Sequence, residues 1–139
     1  MKRTIILLLA GIVAAACGDY PTNGDLDGMW HLRTTESMAD NRIEDVKEER
    51  IYYSVAQNLI SLHKVDSSVK RYIGRFDHTG DSLILHSFVV YQNESKPAPI
   101  AELLEYKLEG EVSRYAVRKL DSKQLVLRSA DTELTFKKF

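Results

Sequence analysis

Two short serine motifs are the first candidates for chemistry in this chain. Gly80-Asp81-Ser82-Leu83 has the letters of a serine-hydrolase motif in which the serine is the nucleophile. That chemistry needs a histidine to activate the serine, a carboxylate to orient the histidine, and donors for the oxyanion. Such hydrolases carry the histidine near the end of the chain, whereas the last histidine here is His86, only four residues after Ser82. We therefore interpret the motif as a turn that leads into a strand.

The other candidates for catalysis and metal binding are weaker still. Ser61-Leu62-His63-Lys64 matches a Ser-x-x-Lys motif, but alternation along a strand places its serine and lysine on opposite faces. No two histidines have the close spacing that preforms a metal site. The histidines are His31, His63, His78 and His86. We expect a protein that is not an enzyme, with no catalytic residue, no metal site and no cofactor.

The N-terminal residues have the pattern of a bacterial lipoprotein signal. Lys2 and Arg3 precede an apolar run at residues 5–13, and three alanines separate that run from Cys17. The run is too short to cross a bilayer as a helix. Because Cys17 is the only cysteine, no internal disulfide is possible, and lipidation accounts for its presence and its position. An ordinary secretory signal cut after the alanines is the alternative.

A lipidated Cys17 predicts a place in the bacterial cell envelope, with the outer membrane favoured over the inner one. At about 0.8 kcal/mol per buried CH₂, two or three acyl chains hold a protein on a membrane almost permanently. Residues 1–16 would be removed, and the turn-forming residues 17–25 would act as the tether. The remaining 123 residues contain 17 basic and 20 acidic side chains, a net charge of −3. Without a basic block, a nucleic-acid partner is disfavoured.

Residues 26–139 predict a single all-β domain. Short runs of alternating apolar and polar residues recur about every ten residues, with no alternation of strands and helices. The runs cover residues 28–36, 50–56, 59–65, 69–76, 83–91, 111–120, 123–129 and 132–139. We predict an eight-stranded antiparallel up-and-down β-barrel whose first and last strands pair near Leu32 and Phe136. The charged residues 37–48 predict a solvated loop.

Residues 92–110 interrupt this pattern and predict one short helix before the last three strands. Lys96-Pro97-Ala98-Pro99 is expected to break any strand, and Pro99 suits the first position of a helix. Gly110 would end the helix. Apolar residues recur at helical spacing, namely Ile100, Leu103, Leu104 and Leu108. We expect this helix to lie across one end of the barrel.

Gly28 and Trp30 are predicted to plug the barrel at the beginning of its first strand. Glycine lets the chain bend as it joins the sheet, and alternation points Trp30 inward. The segment Leu26-Asp27-Gly28-Met29-Trp30 resembles the Gly-x-Trp motif of lipocalins. Together with the lipoprotein signal, the C-terminal segments at residues 125–129 and 134–139 make the chain resemble a group of lipocalin-like lipoproteins of Bacteroidota. Arg128 is the nearest counterpart of the arginine that stacks on the tryptophan in true lipocalins.

The inward face of the predicted barrel is the candidate binding site. Residues on one alternation phase are Trp30, Tyr53, Val55, Tyr72, Phe76, Leu85, Tyr115, Val117, Leu127 and Phe136. An eight-stranded barrel is either filled by such side chains or holds one small ligand. In the second case the ligand-binding residues would be Tyr53, Tyr72, Phe76 and Tyr115, with Leu103 and Leu104 at one end.

Two functions follow from this architecture. The first is non-catalytic binding of a small hydrophobic or amphiphilic ligand by a membrane-anchored barrel. The second is a protein-binding module of the envelope, either an inhibitor of an exported hydrolase or an accessory subunit of a complex. Residues 39–50 and 93–99 would then supply the contacts, because loops carry such interactions.

Overall fold

The computed structural model describes residues 22–65, 68 and 70–139. Cys17, the predicted signal and most of the predicted tether lie outside these residues. The described residues form ten β-strands: β1 (Gly28–Ser37), β2 (Ile43–Asp45), β3 (Ile51–Ala56), β4 (Leu59–Lys64), β5 (Tyr72–Thr79), β6 (Ser82–Val90), β7 (Asn93–Pro97), β8 (Ser113–Leu120), β9 (Gln124–Arg128) and β10 (Thr132–Lys138). One α-helix, α1 (Ile100–Glu105), precedes the last three strands.

Eight of these strands close into an antiparallel barrel, as predicted. The sheet runs in the order β10-β9-β8-β6-β5-β4-β3-β1, and β10 pairs with β1 to complete the circle. Leu32 lies opposite Phe136 in that closing pair. Closure therefore pairs the first and last strands of the barrel with each other.

Alternation of side chains builds the core inside the barrel. Ile51, Tyr53 and Val55 of β3 are buried, and Ile60 and Leu62 of β4 are buried beside them. Trp30, Leu85, Leu127 and Phe136 are buried on β1, β6, β9 and β10, whereas Phe76 and Val117 are partly buried against this core. Burial of these apolar side chains is the main source of stability.

The prediction of a solvated loop at residues 37–48 was wrong in part. Ile43–Asp45 forms β2, which pairs with Thr34, Thr35 and Glu36 of β1. All three β2 residues are exposed, so no hydrophobic alternation marks this strand in the sequence. Its pairing arises because β1 extends beyond β3, and the exposed edge of β1 accepts another strand.

The segment around Pro97 also differs from the prediction. Asn93–Pro97 forms β7, which pairs with β6, although the prolines were expected to exclude a strand. Proline is tolerated on an edge strand, where its missing N–H is not required. The predicted helix is present but shorter, because α1 ends at Glu105 rather than near Gly110. Among the described residues, no helix is long and apolar enough to cross a bilayer.

The bounds of β5 differ from those expected. It covers Tyr72–Thr79 rather than residues 69–76, and its turn into β6 contains Gly80 and Asp81. Asp77, His78 and Thr79, which had been predicted to form part of that turn, pair with β6 instead.

The helix and the beginning of the described chain lie at opposite ends of the barrel. The Asn23 side-chain amide donates to the carbonyl of Gln57, in the turn that ends β3. Lys107, just after α1, pairs with Glu49 at 3.3 Å, immediately before β3 begins. Because β3 crosses the barrel wall, these two contacts mark the two ends of the barrel.

Candidate ligand-binding site

Gly28 and Trp30 close the barrel at the end where the described chain begins. Gly28 has φ of +128°, which only glycine adopts without strain, and it lets β1 start close to the Lys138 side chain. The Trp30 indole is fully buried and donates its Nε1–H to the Leu26 carbonyl at 2.8 Å. Trp30 is thus buried near the start of β1, as alternation predicted.

Four tyrosines are buried inside the barrel, and we call them the tyrosine cluster: Tyr53, Tyr72, Tyr106 and Tyr115. The Tyr53 hydroxyl donates to the Tyr106 carbonyl at 2.5 Å. The ring of Tyr106 meets that of Tyr72 edge-on, with centroids 6.2 Å apart. Tyr106 donates its own hydroxyl to the Lys70 carbonyl at 2.8 Å, so this ring ties the helix segment to the β4–β5 connection.

Two hydroxyls of the tyrosine cluster have no hydrogen-bond partner among the described residues. They belong to Tyr72 and Tyr115, and both oxygen atoms are fully buried. Burial, reinforced by the nearby Glu109 charge, raises the pKa of Tyr115, and burial raises the pKa of Tyr106 to about 12. Burial and then the phenols of Tyr115 and Tyr106 raise the pKa of Tyr53 well above its usual value. Tyr53, Tyr106 and Tyr115 are therefore neutral phenols at neutral pH.

The other predicted site residues lie in different places. Leu103 is buried on the inner face of α1, whereas Leu104 is 51% exposed on the outer face of the helix. Phe76 is half-buried towards the opposite end, where it lines a more polar depression with Asn23 and the β3–β4 turn. The structure thus buries Tyr53, Tyr72, Tyr115 and Leu103 in one core, whereas Phe76 packs at its margin and Leu104 is exposed.

A gap opens in the barrel wall between β6 and β8. The two strands pair from Ser82 opposite Ala116 to Leu85 opposite Ser113. Beyond Leu85, a bulge in the pairing of β5 with β6 coincides with Ser87, which has φ of +58°. The second half of β6 then pairs with β7 instead.

An open cleft of about 590 Å³ lies over this gap, and we call it the lateral cleft. It is lined by Asp77, Ile84, His86, Ser87, Phe88, Pro97, Ala98, Leu103, Glu111, Val112 and Arg114. Phe88 and Leu103 are also core residues, so they form the boundary between the cleft and the barrel interior. Pockets for small ligands have volumes of about 300–1,000 Å³ and combine apolar walls with a few polar groups, as this one does.

Comparison with known proteins agrees with this architecture. The pattern of the family described as "Lipocalin-like domain" matches residues 9–139. The chain belongs to the lipocalin-like domain family. The barrel is similar to that of a lipocalin-like protein from Bacteroides uniformis, at 20% identity and a TM-score of 0.66, over 84% of this chain and 100% of that one. No curated protein gave a significant match.

A second solved structure has the same lipocalin-like fold. It is an uncharacterized protein from Bacteroides eggerthii, 17% identical with a TM-score of 0.63, and the similarity covers 82% of this chain and 99% of that one. At these identities, the likeness concerns the fold alone. The resemblance to lipocalin-like proteins of Bacteroidota that the sequence indicated is thus confirmed.

The cation that lies over the tryptophan of this lipocalin-like barrel is Lys138, not Arg128. Lys138 Nζ is 4.8 Å from the centre of the Trp30 ring and donates to the Asp25 carbonyl at 2.9 Å. Arg128 instead binds Glu133 at 2.6 Å. Lys138 reaches the indole because β10 pairs with β1 and places it directly opposite Trp30.

His86 is held in one orientation at the edge of the lateral cleft of this lipocalin-like barrel. Its Nε2 lies 3.0 Å from Asp77 Oδ2, and its Nδ1 lies 2.8 Å from Ser87 Oγ. Hydrolase triads bury the carboxylate that orients the histidine, whereas 68% of the Asp77 side chain is exposed. We therefore interpret this array as a polar margin of the cleft. Ser82, the serine of the Gly-Asp-Ser-Leu motif, begins β6 opposite Thr79.

Sequence reasoning missed two residues that shape the site, Tyr106 and Phe88. Tyr106 follows α1 at helical spacing from Leu103, so the helical pattern could have included it. Phe88 lies on the inward side because the bulge at Ser87 shifts the alternation of β6 by one residue. Its ring lies against Gly74 of β5, where a side chain would collide with it.

Proposed function

We propose that this lipocalin-like protein is anchored in the cell envelope through a lipidated Cys17 and binds a small hydrophobic or amphiphilic molecule. The observation that carries the proposal is the lateral cleft, which combines an apolar floor with polar groups at its margin. Ile84, Phe88 and Val112 supply apolar surface, while His86 and Arg114 supply polar contacts. This combination suits a ligand with an apolar body and a polar end.

Packing of the barrel interior supports a site in the cleft rather than along the barrel axis. Trp30 and Leu26 fill one end, and Tyr72 and Tyr106 fill the other, beside α1. Between these two ends, the ring of Tyr53 is in contact with the ring of Phe136, with centroids 4.8 Å apart. The cleft is the opening through which a ligand would approach the interior.

Replacement of Val112 by aspartate should weaken ligand binding by about 5- to 30-fold, which corresponds to about 1–2 kcal/mol of lost apolar contact. Val112 lines the cleft and is 47% exposed, so the change should leave the fold intact. The measurement is titration of the purified protein with the neutral fluorophore N-phenylnaphthylamine. Leu104→Asp is the matched control, because Leu104 is equally exposed but lies outside the cleft lining. Equal affinity of the two variants would contradict a site in the cleft.

The membrane anchor has its own test in bacterial cells. Cys17→Ser should abolish incorporation of a labelled palmitate and should move the protein from the membrane to the soluble fraction, because serine cannot form the thioether. The support for this anchor is the basic start, the apolar run and the single cysteine. Wild-type protein that carries no label and remains soluble would refute the proposed anchor.

A protein partner is the second candidate function, and the outer face of α1 favours it. Ile100 and Leu104 lie one turn apart and are 49% and 51% exposed. On an anchored protein this face would point away from the membrane, since α1 and the beginning of the described chain lie at opposite ends. Leu104→Asp would then reduce recovery of a crosslinked envelope partner, whereas Val112→Asp would not.

A further inference from the structure

A band of aromatic and apolar side chains lies on the outside of the barrel where β10, β1 and β3 run side by side. Alternation directs these residues outward, because Trp30, Tyr53 and Phe136 on the same strands are buried. Every residue of the band is exposed or partly exposed, so the described part of the chain leaves it accessible. We call the band the aromatic face, and its members are Met29, His31, Tyr52, Ser54, Lys137 and Phe139.

Ring contacts hold the aromatic face together. The His31 ring is stacked on the Tyr52 ring, with centroids 4.7 Å apart. The Phe139 ring meets the Tyr52 ring edge-on, with centroids 5.6 Å apart. The Phe139 backbone N–H donates to the Met29 carbonyl at 2.8 Å, although Phe139 is 83% exposed. An apolar patch that is both exposed and held in place is typical of a surface that contacts a partner.

The charges of the aromatic face suit a partner with an anionic surface. None of its six residues is acidic, and Lys137 lies directly opposite His31. Lys123 lies at the edge of the face, because its carbonyl accepts the Lys138 backbone N–H at 2.8 Å. The Asp121 carboxylate nearby points back to the chain, where it accepts the Lys123 backbone N–H at 2.8 Å. Aromatic rings beside lysines are favoured at the boundary between water and a lipid bilayer.

The predicted anchor joins the barrel at the end where Phe139 lies. The Asn23 side chain donates to the Gln57 carbonyl just beyond β3, at the end of the barrel where β1 begins and β10 finishes. The five residues from Cys17 to Thr22 span at most about 18 Å when fully extended. A lipidated Cys17 would therefore hold this end of the barrel close enough to bring the aromatic face against the bilayer.

We propose that the aromatic face rests on the bilayer surface, with Met29 and Phe139 at the boundary of the acyl chains and Lys137 beside anionic headgroups. The inference rests on the proposed lipid anchor and adds a second contact, which orients the barrel. Around the closed sheet, β3, β4 and β5 separate β1 from β6, while β10 and β9 separate it from β8. The lateral cleft therefore lies on the opposite side of the barrel, and a ligand enters it from the aqueous compartment rather than directly from the bilayer.

The test places a fluorescent label on the aromatic face and, as a matched control, on the opposite wall of the barrel. Ser54→Cys lies on the face, and Ala116→Cys lies at an exposed position of β8. Because Cys17 carries the acyl chains and is the only native cysteine, each new thiol is the single site for a maleimide label. The full lipidated protein is reconstituted into vesicles of phosphatidylcholine and phosphatidylglycerol, and quenching of the label by acrylamide is measured.

We expect the label at residue 54 to be protected from acrylamide and the label at residue 116 to remain accessible. Lys137→Gln should shift the equilibrium towards the undocked barrel by about fivefold, because it removes one positive charge at the lipid surface. Phe139→Ser should act in the same direction, since it removes an exposed ring, and it should leave the fold intact. Lys96→Gln, at an exposed position of β7, is the matched control.

Three outcomes would overturn the inference alone. They are equal quenching at residues 54 and 116, protection of residue 54 that persists when Lys137→Gln and Phe139→Ser are combined, and protection in detergent micelles that increases with protein concentration. The last would show that a second copy of the chain covers the aromatic face. Protein that fails to float with the vesicles before it is labelled would instead refute the proposed anchor, and this inference with it.

Discussion

Replacement of Trp30 by alanine is expected to lower the free energy of unfolding by about 3–5 kcal/mol. Trp30 is fully buried, its Nε1–H binds the Leu26 carbonyl at 2.8 Å, and Lys138 lies over its ring. The variant loses the largest apolar side chain of the core, and it also leaves the Leu26 carbonyl unpaired. Such a loss is a large fraction of the total stability of a small domain.

Urea unfolding followed by circular dichroism is the suitable measurement, because Trp30 is the only tryptophan and its fluorescence disappears in the variant. Met29→Ala is the control on the same strand. Met29 is 38% exposed, so its replacement should change the unfolding free energy by no more than about 0.5 kcal/mol. Similar stability of the two variants would contradict the role of Trp30 as the plug of the barrel.

The second large effect is expected from Gly74→Ala, which should destabilise the protein by about 1–3 kcal/mol through overpacking. A Cβ at this position would lie 2.5 Å from the Phe88 ring and 2.9 Å from the His86 carbonyl oxygen. Both distances are far below van der Waals contact, so Phe88 and the neighbouring backbone must shift. The same shift should alter the lateral cleft, because Phe88 and His86 line it.

A double-mutant cycle with Phe88→Leu separates the two clashes. The smaller leucine relieves the collision with the side chain, so the double variant should lose less stability than the sum of the single variants. Relief should be partial, since the His86 carbonyl belongs to the backbone and cannot withdraw as a side chain does. If urea unfolding shows that the losses of stability in the two single variants simply add in the double variant, the contact between Phe88 and residue 74 is not the cause of the destabilisation.

The architecture of the wall could be predicted from local patterns. Period-two alternation identified the eight barrel strands, since each strand must bury one face and expose the other. With the assumption that the barrel closes, alternation also predicted that the first and last strands pair near Leu32 and Phe136, and these two residues do lie opposite each other. Tyr53, Tyr72 and Tyr115 were correctly expected inside the barrel on this basis.

The elements that alternation does not mark could not be predicted in this way. Ile43–Asp45 and Asn93–Pro97 are exposed edge strands that bury no face, so their sequences resemble loops. They are strands because β1 and β6 offer unpaired backbone groups beside them. Pairing partners at a sheet edge depend on which strands extend past their neighbours, and that is decided in three dimensions.

The sequence by itself determined the barrel, the burial of Trp30 in its first strand and the short helix before the last three strands, because each depends on the size, polarity and spacing of nearby residues. Only the tertiary structure decided where a ligand can approach. The bulge at Ser87 turns β6 away from β8 and moves Phe88 inward, beside the lateral cleft that Phe88 lines. Strand register and hydrogen-bond partners are relations between distant segments, and no local pattern encodes them.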